Sequence, residues 1–324
     1  LAISATGVVS MSGTVTVGSL DIGHGLGGAT TNTALGTDAL DATVAGCIHN
    51  TAIGNAALTA LNDGAGDYNT VVGSLSTDAL LTGARNSTLG YGTLSQSTAG
   101  NDNVAIGYLS LLNFTGTNAT AVGSGAADAA VAQLGITAIG KDALSAATSG
   151  NYNTAVGWSC LDGTIDGANN TAVGVGALSA DCADNNTAIG LDALTVFTGS
   201  NATVVGSGAA DAATSAASLT AVGYAAGGAL VDQPHNTFVG FQSGLNTLGE
   251  SNTFIGSQTG YYADDADHCV AIGRNALLGV DGGTTDGDYN IAIGSYALDA
   301  STSGHSNVAV GYNAGTDLTT GYRN

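Results

Sequence analysis

The sequence predicts an all-β fold, a parallel β-roll or β-solenoid of about 18 coils with a repeat of roughly 17 residues. Two observations predict it: one short phrase recurs along the chain, and a glycine closes each copy at nearly constant spacing. Most intervals between these glycines are 16 or 17 residues. That length is too short for a helix pair and suits a coil of two short strands and two turns. Copies of the phrase include TALGTDAL from Thr33, TAIGNAAL from Thr51, TAIGKDAL from Thr137, TAVGVGAL from Thr171, NTAIGLDAL from Asn186 and IAIGSYAL from Ile291.

The residues before each glycine have the pattern of a short strand. Ile, Val or Leu precedes the glycine, and Thr usually stands two residues earlier, so both side chains point to one face of the strand. We expect this face to be half-buried. The small residue between them, usually Ala, points to the opposite face, where its size predicts close packing. The aliphatic column is represented by Ile53, Ile106, Ile139, Val156, Ile189 and Ile255.

A column of asparagines stands four residues before the glycine, as at Asn103, Asn153 and Asn186. Asn tolerates turn conformations, and its amide both donates and accepts hydrogen bonds. Stacking of successive coils therefore predicts a ladder of Asn amides. The glycine is expected at a bend or at a close approach of two backbones, where a side chain would clash.

An Ala-Leu pair follows the glycine in many coils and is expected to form a second strand, with Leu filling the interior. In the coils that begin at Gly223, Gly240 and Gly256, a glycine replaces this Leu, which predicts a thinner or differently closed section. Two of these coils are also unusual in the Ala column, which holds Phe238 and Phe254. We expect these two aromatic rings to stack.

The repeat predicts three segments: a lead-in over residues 1–13, the solenoid over residues 14–315 and a tail over residues 316–324.

The chain also contains a longer duplication in addition to the short repeat. Residues 114–130 return at residues 197–213 with two of 17 positions changed, an offset of five coils. Copying of whole units is compatible with sequence that sets a shape, and it disfavours a unique active site.

Composition excludes several classes of partner. The net charge is −21, with 25 acidic residues against four Lys and Arg, so binding to nucleic acid or to an anionic membrane surface is disfavoured. Apolar runs are too short for a membrane-spanning helix, and we predict no membrane insertion. The four cysteines form no CxxC pair and are predicted to be reduced, which favours assembly in a reducing compartment.

The phrases NVAIG at residues 103–107 and NVAVG at residues 307–311 resemble the repeat of trimeric autotransporter adhesin heads. Similar repeats occur in phage tail fibres and other virion appendages. The resemblance covers residues 14 to about 315 and implies a left-handed parallel β-roll that packs as a homotrimer. This chain departs from the adhesin pattern in its longer coil and in its free cysteines, and residues 1–324 contain no heptad stalk or anchor region, which a fragment could also lack. We therefore expect a virion fibre, with the bacterial adhesin head as the alternative.

The small Ala column lets neighbouring chains approach closely, so Ala138, Ala155 and Ala172 are predicted to form the trimer face. The expected partners are further copies of the chain and a host cell-surface glycan or protein, and the expected location is a virion or the extracellular space. For the adhesin alternative it is the bacterial cell surface. A third interpretation, an ice-binding solenoid with regular Thr rows, is weakened by the pairing of Thr with aliphatic residues, which suggests burial.

No catalytic residue and no cofactor-binding motif is predicted. The five histidines lie in separate loops, and the cluster of Asp264, Asp265, Asp267 and His268 has no spacing that suits a nucleophile and its base. Calcium is the one cofactor that the acidic, glycine-rich loops suggest. Its candidate ligands are Asp281, Asp286 and Asp288, although solvated loops explain the same residues.

Overall fold

The computed structural model describes residues 2–3, 9–10, 15–17, 20–25, 29–42, 46–62, 64–281 and 287–324, and these residues form an all-β fold without helices. They divide into two compact units, residues 1–153 and 154–324. The first unit contains β1 (Ala2–Ile3), β2 (Val9–Ser10), β3 (Val15–Val17), β4 (Leu20–Gly23), β5 (Thr33–Leu35), β6 (Thr51–Ile53), β7 (Thr70–Val72), β8 (Ser87–Leu89), β9 (Val104–Ile106), β10 (Thr120–Val122) and β11 (Thr137–Ile139). The second contains β12 (Thr154–Val156), β13 (Thr171–Val173), β14 (Thr187–Ile189), β15 (Thr203–Val205), β16 (Thr220–Val222), β17 (Thr237–Val239), β18 (Thr253–Ile255), β19 (Val270–Ile272), β20 (Ile291–Ile293) and β21 (Val308–Val310).

Pairing within each unit confirms the parallel β-solenoid. From β5 onward in the first unit, and throughout the second, each described strand pairs in parallel with the next one along the chain, in the register of the repeat. Thr171 lies beside Thr187, for example, and Val173 beside Ile189. The start of the first unit differs, because β1 and β2, β3 and β4, and β4 and β5 pair antiparallel. Among the described strands, parallel pairing begins at Thr33, and the predicted segment bounds at residues 13, 14, 315 and 316 stay predictions.

Each coil contains one strand, and the predicted second strand is instead a series of turns. The second and fourth residues after the glycine have positive φ, as at Asp192 (φ 53°) and Leu194 (φ 54°). Backbone bonds to the next coil hold this conformation: the N–H of Leu194 donates to the carbonyl of Ala209 at 3.2 Å. Leucine rarely adopts positive φ, so its intrinsic propensity does not predict this series of turns, which forms the wall of the coil opposite the strand. Its side chain still fills the interior, as predicted, and Leu194 is fully buried.

The glycine after each strand is required for two reasons. Its φ lies near 140°, as at Gly174 (φ 141°), a region that L side chains rarely adopt. A Cβ on Gly174 would also lie 2.6 Å from the carbonyl carbon of Gly190 in the next coil. Glycine therefore stacks on glycine, backbone against backbone, and the predicted close approach is confirmed.

The asparagine ladder is also confirmed, and its members are buried. The backbone N–H of Asn186 donates to Oδ1 of Asn170 at 2.8 Å, and Asn186 Oδ1 accepts the N–H of Ala202 at 3.0 Å. Asn186 Nδ2 donates to the carbonyl of Gly199 at 3.0 Å. One side chain thus satisfies polar groups of its neighbours that would otherwise be buried without partners.

Phenylalanine compensates where glycine replaces the interior Leu. Phe238 and Phe254 are fully buried, and their rings lie 5.5 Å apart at an interplanar angle of 33°. A Cβ on Gly244 would lie 2.7 Å from Phe238 Cδ1. The ring therefore occupies the space that a Leu takes in other coils, and the interior of this section is filled by aromatic rings.

Replacing Asn186 with Asp tests the ladder. The change removes the Nδ2 donor and places a carboxylate where it is fully buried, so we expect the free energy of unfolding to fall by about 3 kcal/mol. Asn185→Asp is the matched control, since Asn185 is adjacent and exposed; it should change the same quantity by less than about 0.5 kcal/mol. Urea unfolding followed by circular dichroism measures both. Equal effects of the two substitutions would contradict the ladder's role.

Candidate functional site

Each unit presents an outer strand face, which we define as the side chains at the first and third positions of its parallel three-residue strands. In every such strand the middle residue is buried, and the residues on both sides of it are partly or fully exposed. Ile139 of the first unit is 39% exposed, and Ile189 of the second is 38% exposed. Register aligns these side chains in rows, with Thr beside Thr and aliphatic beside aliphatic. Contiguous exposed apolar rows are typical of an interaction surface.

The predicted trimer face was wrong. Ala138, Ala155 and Ala172 are fully buried inside the coils, so their side chains cannot contact a second chain. The physical reason is the narrowness of the coil: the Leu of the opposite wall projects into the same interior and leaves space for little more than a methyl group. The close packing that the Ala column predicts is therefore packing within one chain.

The aliphatic and Thr columns share a face, as predicted, and that face is the outer wall. Ile106, Ile189 and Ile255 are between 37% and 39% exposed, while Ile53 and Val156 are half-buried. The asparagines Asn103, Asn153 and Asn186 lie inside. The structure thus brings the predicted aliphatic residues together in rows and separates them from the predicted Ala residues.

The acidic loops have a structural role in the described residues. Asp carboxylates accept backbone N–H groups of the preceding coil: Asp181 Oδ1 accepts from Ile165 at 2.8 Å, and Asp184 Oδ1 accepts from Ala168 at 2.8 Å. Asp67 Oδ1 accepts from Ile48 at 2.8 Å in the same way. These bonds account for the three carboxylates without a ligand, because a carboxylate is a strong hydrogen-bond acceptor for backbone amides.

The calcium prediction is tested at none of its three residues. Asp286 lies outside the described residues, while Asp281 and Asp288 lie within them. Asp288 Oδ1 accepts the backbone N–H of Asp267 at 3.1 Å, and Asp288 Oδ2 lies 3.8 Å from Nδ1 of His305. Among the residues described, no group of three or more His, Cys, Asp or Glu side chains is arranged to hold a metal ion. A calcium site at this loop stays a prediction.

Histidine and tyrosine stack between neighbouring coils. The ring centroids of His49 and Tyr68 lie 5.2 Å apart, and those of His268 and Tyr289 lie 5.1 Å apart. This stacking gives these histidines a packing role. Within the cluster singled out from the sequence, Asp267 Oδ1 accepts the N–H of Glu250 at 2.8 Å, which places it among the structural carboxylates.

The four cysteines are free, as predicted, and all four are buried. Burial raises the pKa of Cys160 and of Cys269 to about 12, so neither thiol ionises near neutral pH. Cys269 occupies a position of the asparagine ladder and acts in its place. Its N–H donates to Oδ1 of Asn252 at 2.9 Å, and its Sγ accepts the N–H of Asn290 at 3.3 Å.

Sequence reasoning missed a row of exposed aromatic residues directly after the glycines. Tyr91 stacks on Tyr108 in the first unit with 5.6 Å between centroids, and Tyr224 stacks on Phe241 in the second with 5.5 Å. Trp158 stands at the same position of its coil and is exposed. The sequence contains a signal for this row, because aromatic residues recur directly after the glycine when the repeats are aligned. Such bulky side chains cannot enter the narrow interior.

Comparison with known proteins assigns no family. No protein-family model matches this chain, and no curated protein matches it. In the part of the chain that the structure describes, no helix has the length and apolar character needed to cross a membrane. A functional proposal therefore rests on the outer strand face and on the repeat itself.

Proposed function

We propose that this chain is a structural and adhesive fibre protein that assembles as a homotrimer through its outer strand face. The virion appendage is the favoured setting, with attachment to a host surface as its task. The observation that carries the proposal is the set of in-register rows of half-exposed Ile and Val, as at Val173, Ile189 and Ile255. Burying the exposed part of each such side chain stabilises an assembly by on the order of 0.5–1 kcal/mol.

The repeated geometry favours association of like with like. A face built from the same two columns in every coil is flat and regular, so three copies around a three-fold axis parallel to the coil stack would present the same rows to one another along many coils. The sum over many weak contacts then replaces a single hot spot. The resemblance to adhesin heads and virion fibres supports a trimer, and the buried free cysteines support assembly in a reducing compartment.

Charges placed on the outer strand face test the assembly. The wild-type chain has a mass of 31.2 kDa, and light scattering coupled to size exclusion should give about three times that mass. Ile189→Asp combined with Ile255→Asp should give the monomer, because like carboxylates would face each other across each interface. Leu191→Asp is the matched control, since Leu191 is exposed in the same coil as Ile189 but lies outside the face.

Two outcomes would contradict the proposal. One is a wild-type monomer over the micromolar concentration range. The other is a trimer that survives the double substitution on the face while circular dichroism reports an intact fold.

An ice-binding protein is the second candidate, and the structure removes the objection that the sequence raised to it. The Thr column points outward, with Thr203, Thr220, Thr237 and Thr253 side by side in register. Rows of hydroxyl and methyl groups at the strand spacing of about 4.8 Å offer a regular array for ordered water. It ranks second because Val or Ile replaces Thr in β19, β20 and β21.

Thermal hysteresis separates the two candidates on the same sample. The ice-binding candidate predicts hysteresis that Thr220→Lys abolishes and that Thr198→Lys, outside the outer strand face, leaves unchanged. Since a trimer interface covers the Thr rows, the fibre proposal predicts a trimeric sample without hysteresis.

A further inference from the structure

The second unit carries an open cleft of about 400 Å³ on a surface distinct from the outer strand face. Its principal lining residues are Leu191, Asp192, Asp211, Tyr224, Leu245 and Asn246. Its size lies within the range of small-molecule sites. Its lining alternates apolar side chains with carboxylate and amide groups, and it contains no Lys or Arg.

Small residues in successive coils create the cleft. Leu191 and Tyr224 stand directly after the glycines of two coils, and Ser207 occupies the same position in the coil between them. Leu191 and Tyr224 are therefore two strand spacings apart, roughly 9.5 Å. The slot between their side chains, above Ser207, has the thickness of one flat ring. A Cβ on Gly228 would lie 2.8 Å from Leu245 Cδ1 and 3.7 Å from Asp211 Oδ1, so Leu245 packs over Gly228 and borders the cleft beside this carboxylate.

The duplicated segment provides an internal comparison, because the sequence SGAADAA stands at residues 124–130 and again at residues 207–213. In the first copy the space is filled. A Cβ on Gly125 would lie 2.6 Å from Asp142 Oδ1, and Lys141 Nζ pairs with Asp142 Oδ2 at 2.5 Å. Burial, with repulsion from Asp142, raises the pKa of Asp128 there. In the second copy Tyr224 and Ala225 replace that Lys-Asp pair, and the space is open.

We propose that this cleft binds a neutral saccharide, with one sugar ring between Leu191 and Tyr224 and its hydroxyl groups donating to Asp192 and Asp211. A sugar ring has apolar C–H faces and a polar edge, and the slot offers apolar walls and carboxylate acceptors. The inference rests on the proposed function in that it names the ligand class of the attachment step. It requires no contact with the outer strand face.

Charge and exposure favour a neutral sugar over other small ligands. The absence of Lys and Arg from the lining disfavours phosphate, sulfate or carboxylate groups. The two carboxylates are exposed, so an amine would gain little from a solvent-screened ion pair. Tyr224 is already stacked on Phe241 with an interplanar angle of 15°, so one ring face is fixed and the other is available toward Ser207.

Saturation-transfer difference NMR with lactose, maltose and cellobiose tests the cleft in the full chain, with spermidine as the cationic comparison. We expect transfer to the ring C–H protons of at least one disaccharide. Ser207→Tyr fills the slot and should abolish that transfer. Tyrosine already stands at this position, directly after the glycine, in other coils. Tyr224→Ser should weaken binding about tenfold. Serine is likewise found directly after the glycine in other coils. Ser124→Tyr, in the filled first copy, is the matched control and should leave binding unchanged.

The outcomes separate this inference from the fibre proposal. Transfer that survives Ser207→Tyr, an affinity left unchanged by Tyr224→Ser, or transfer to spermidine alone would overturn the saccharide cleft. So would the absence of transfer to all three disaccharides at millimolar concentration. Light scattering on the same samples reports the assembly independently, because every substituted residue lies outside the outer strand face. A trimer that binds no saccharide would leave the fibre proposal standing without this ligand.

Discussion

The close stacking of coils at the glycine column is the constraint on which the rest of the structure depends. A glycine such as Gly174 has a φ that only glycine adopts readily, and its neighbour in the next coil leaves no space for a Cβ. This contact fixes where each coil turns and aligns the following residues with those of the next coil. The asparagine ladder then satisfies the backbone groups that stacking buries. Each layer must repeat these features, which explains why one phrase recurs along the chain.

The same constraint explains what is unusual in the composition. A narrow interior accepts Ala from one wall and Leu from the other, so there are few aromatic residues inside, and Phe238 enters only where Gly244 makes room. The loops carry Asp because its carboxylate caps amides of the adjoining coil, as Asp181 does for Ile165. Part of the strong net negative charge thus has a structural origin.

The period, the strand positions, the parallel pairing and the ladder could be predicted, because each depends on a residue type that recurs at fixed spacing. The orientation of the strand could not. Hydrophobicity places Ile inside a three-residue Thr-Ala-Ile strand, whereas the available volume places Ala there, and the volume is known only once the opposite wall is known. The turn conformation of Leu194 was equally out of reach, since leucine disfavours positive φ and adopts it here because backbone bonds to the next coil require it.

Thiol labelling at two positions of one coil tests the central claim. That claim is that the Ala of the strand lies inside and the large side chain after the glycine lies outside. Under native conditions maleimide should label Leu191→Cys within minutes and should leave Ala188→Cys unlabelled until the chain is unfolded by urea. The four native thiols are buried and should stay unlabelled as well. Val204 occupies the Ala column in the adjoining coil, so the interior tolerates a side chain somewhat larger than Ala. Labelling of Ala188→Cys as fast as Leu191→Cys in a folded protein would contradict the account.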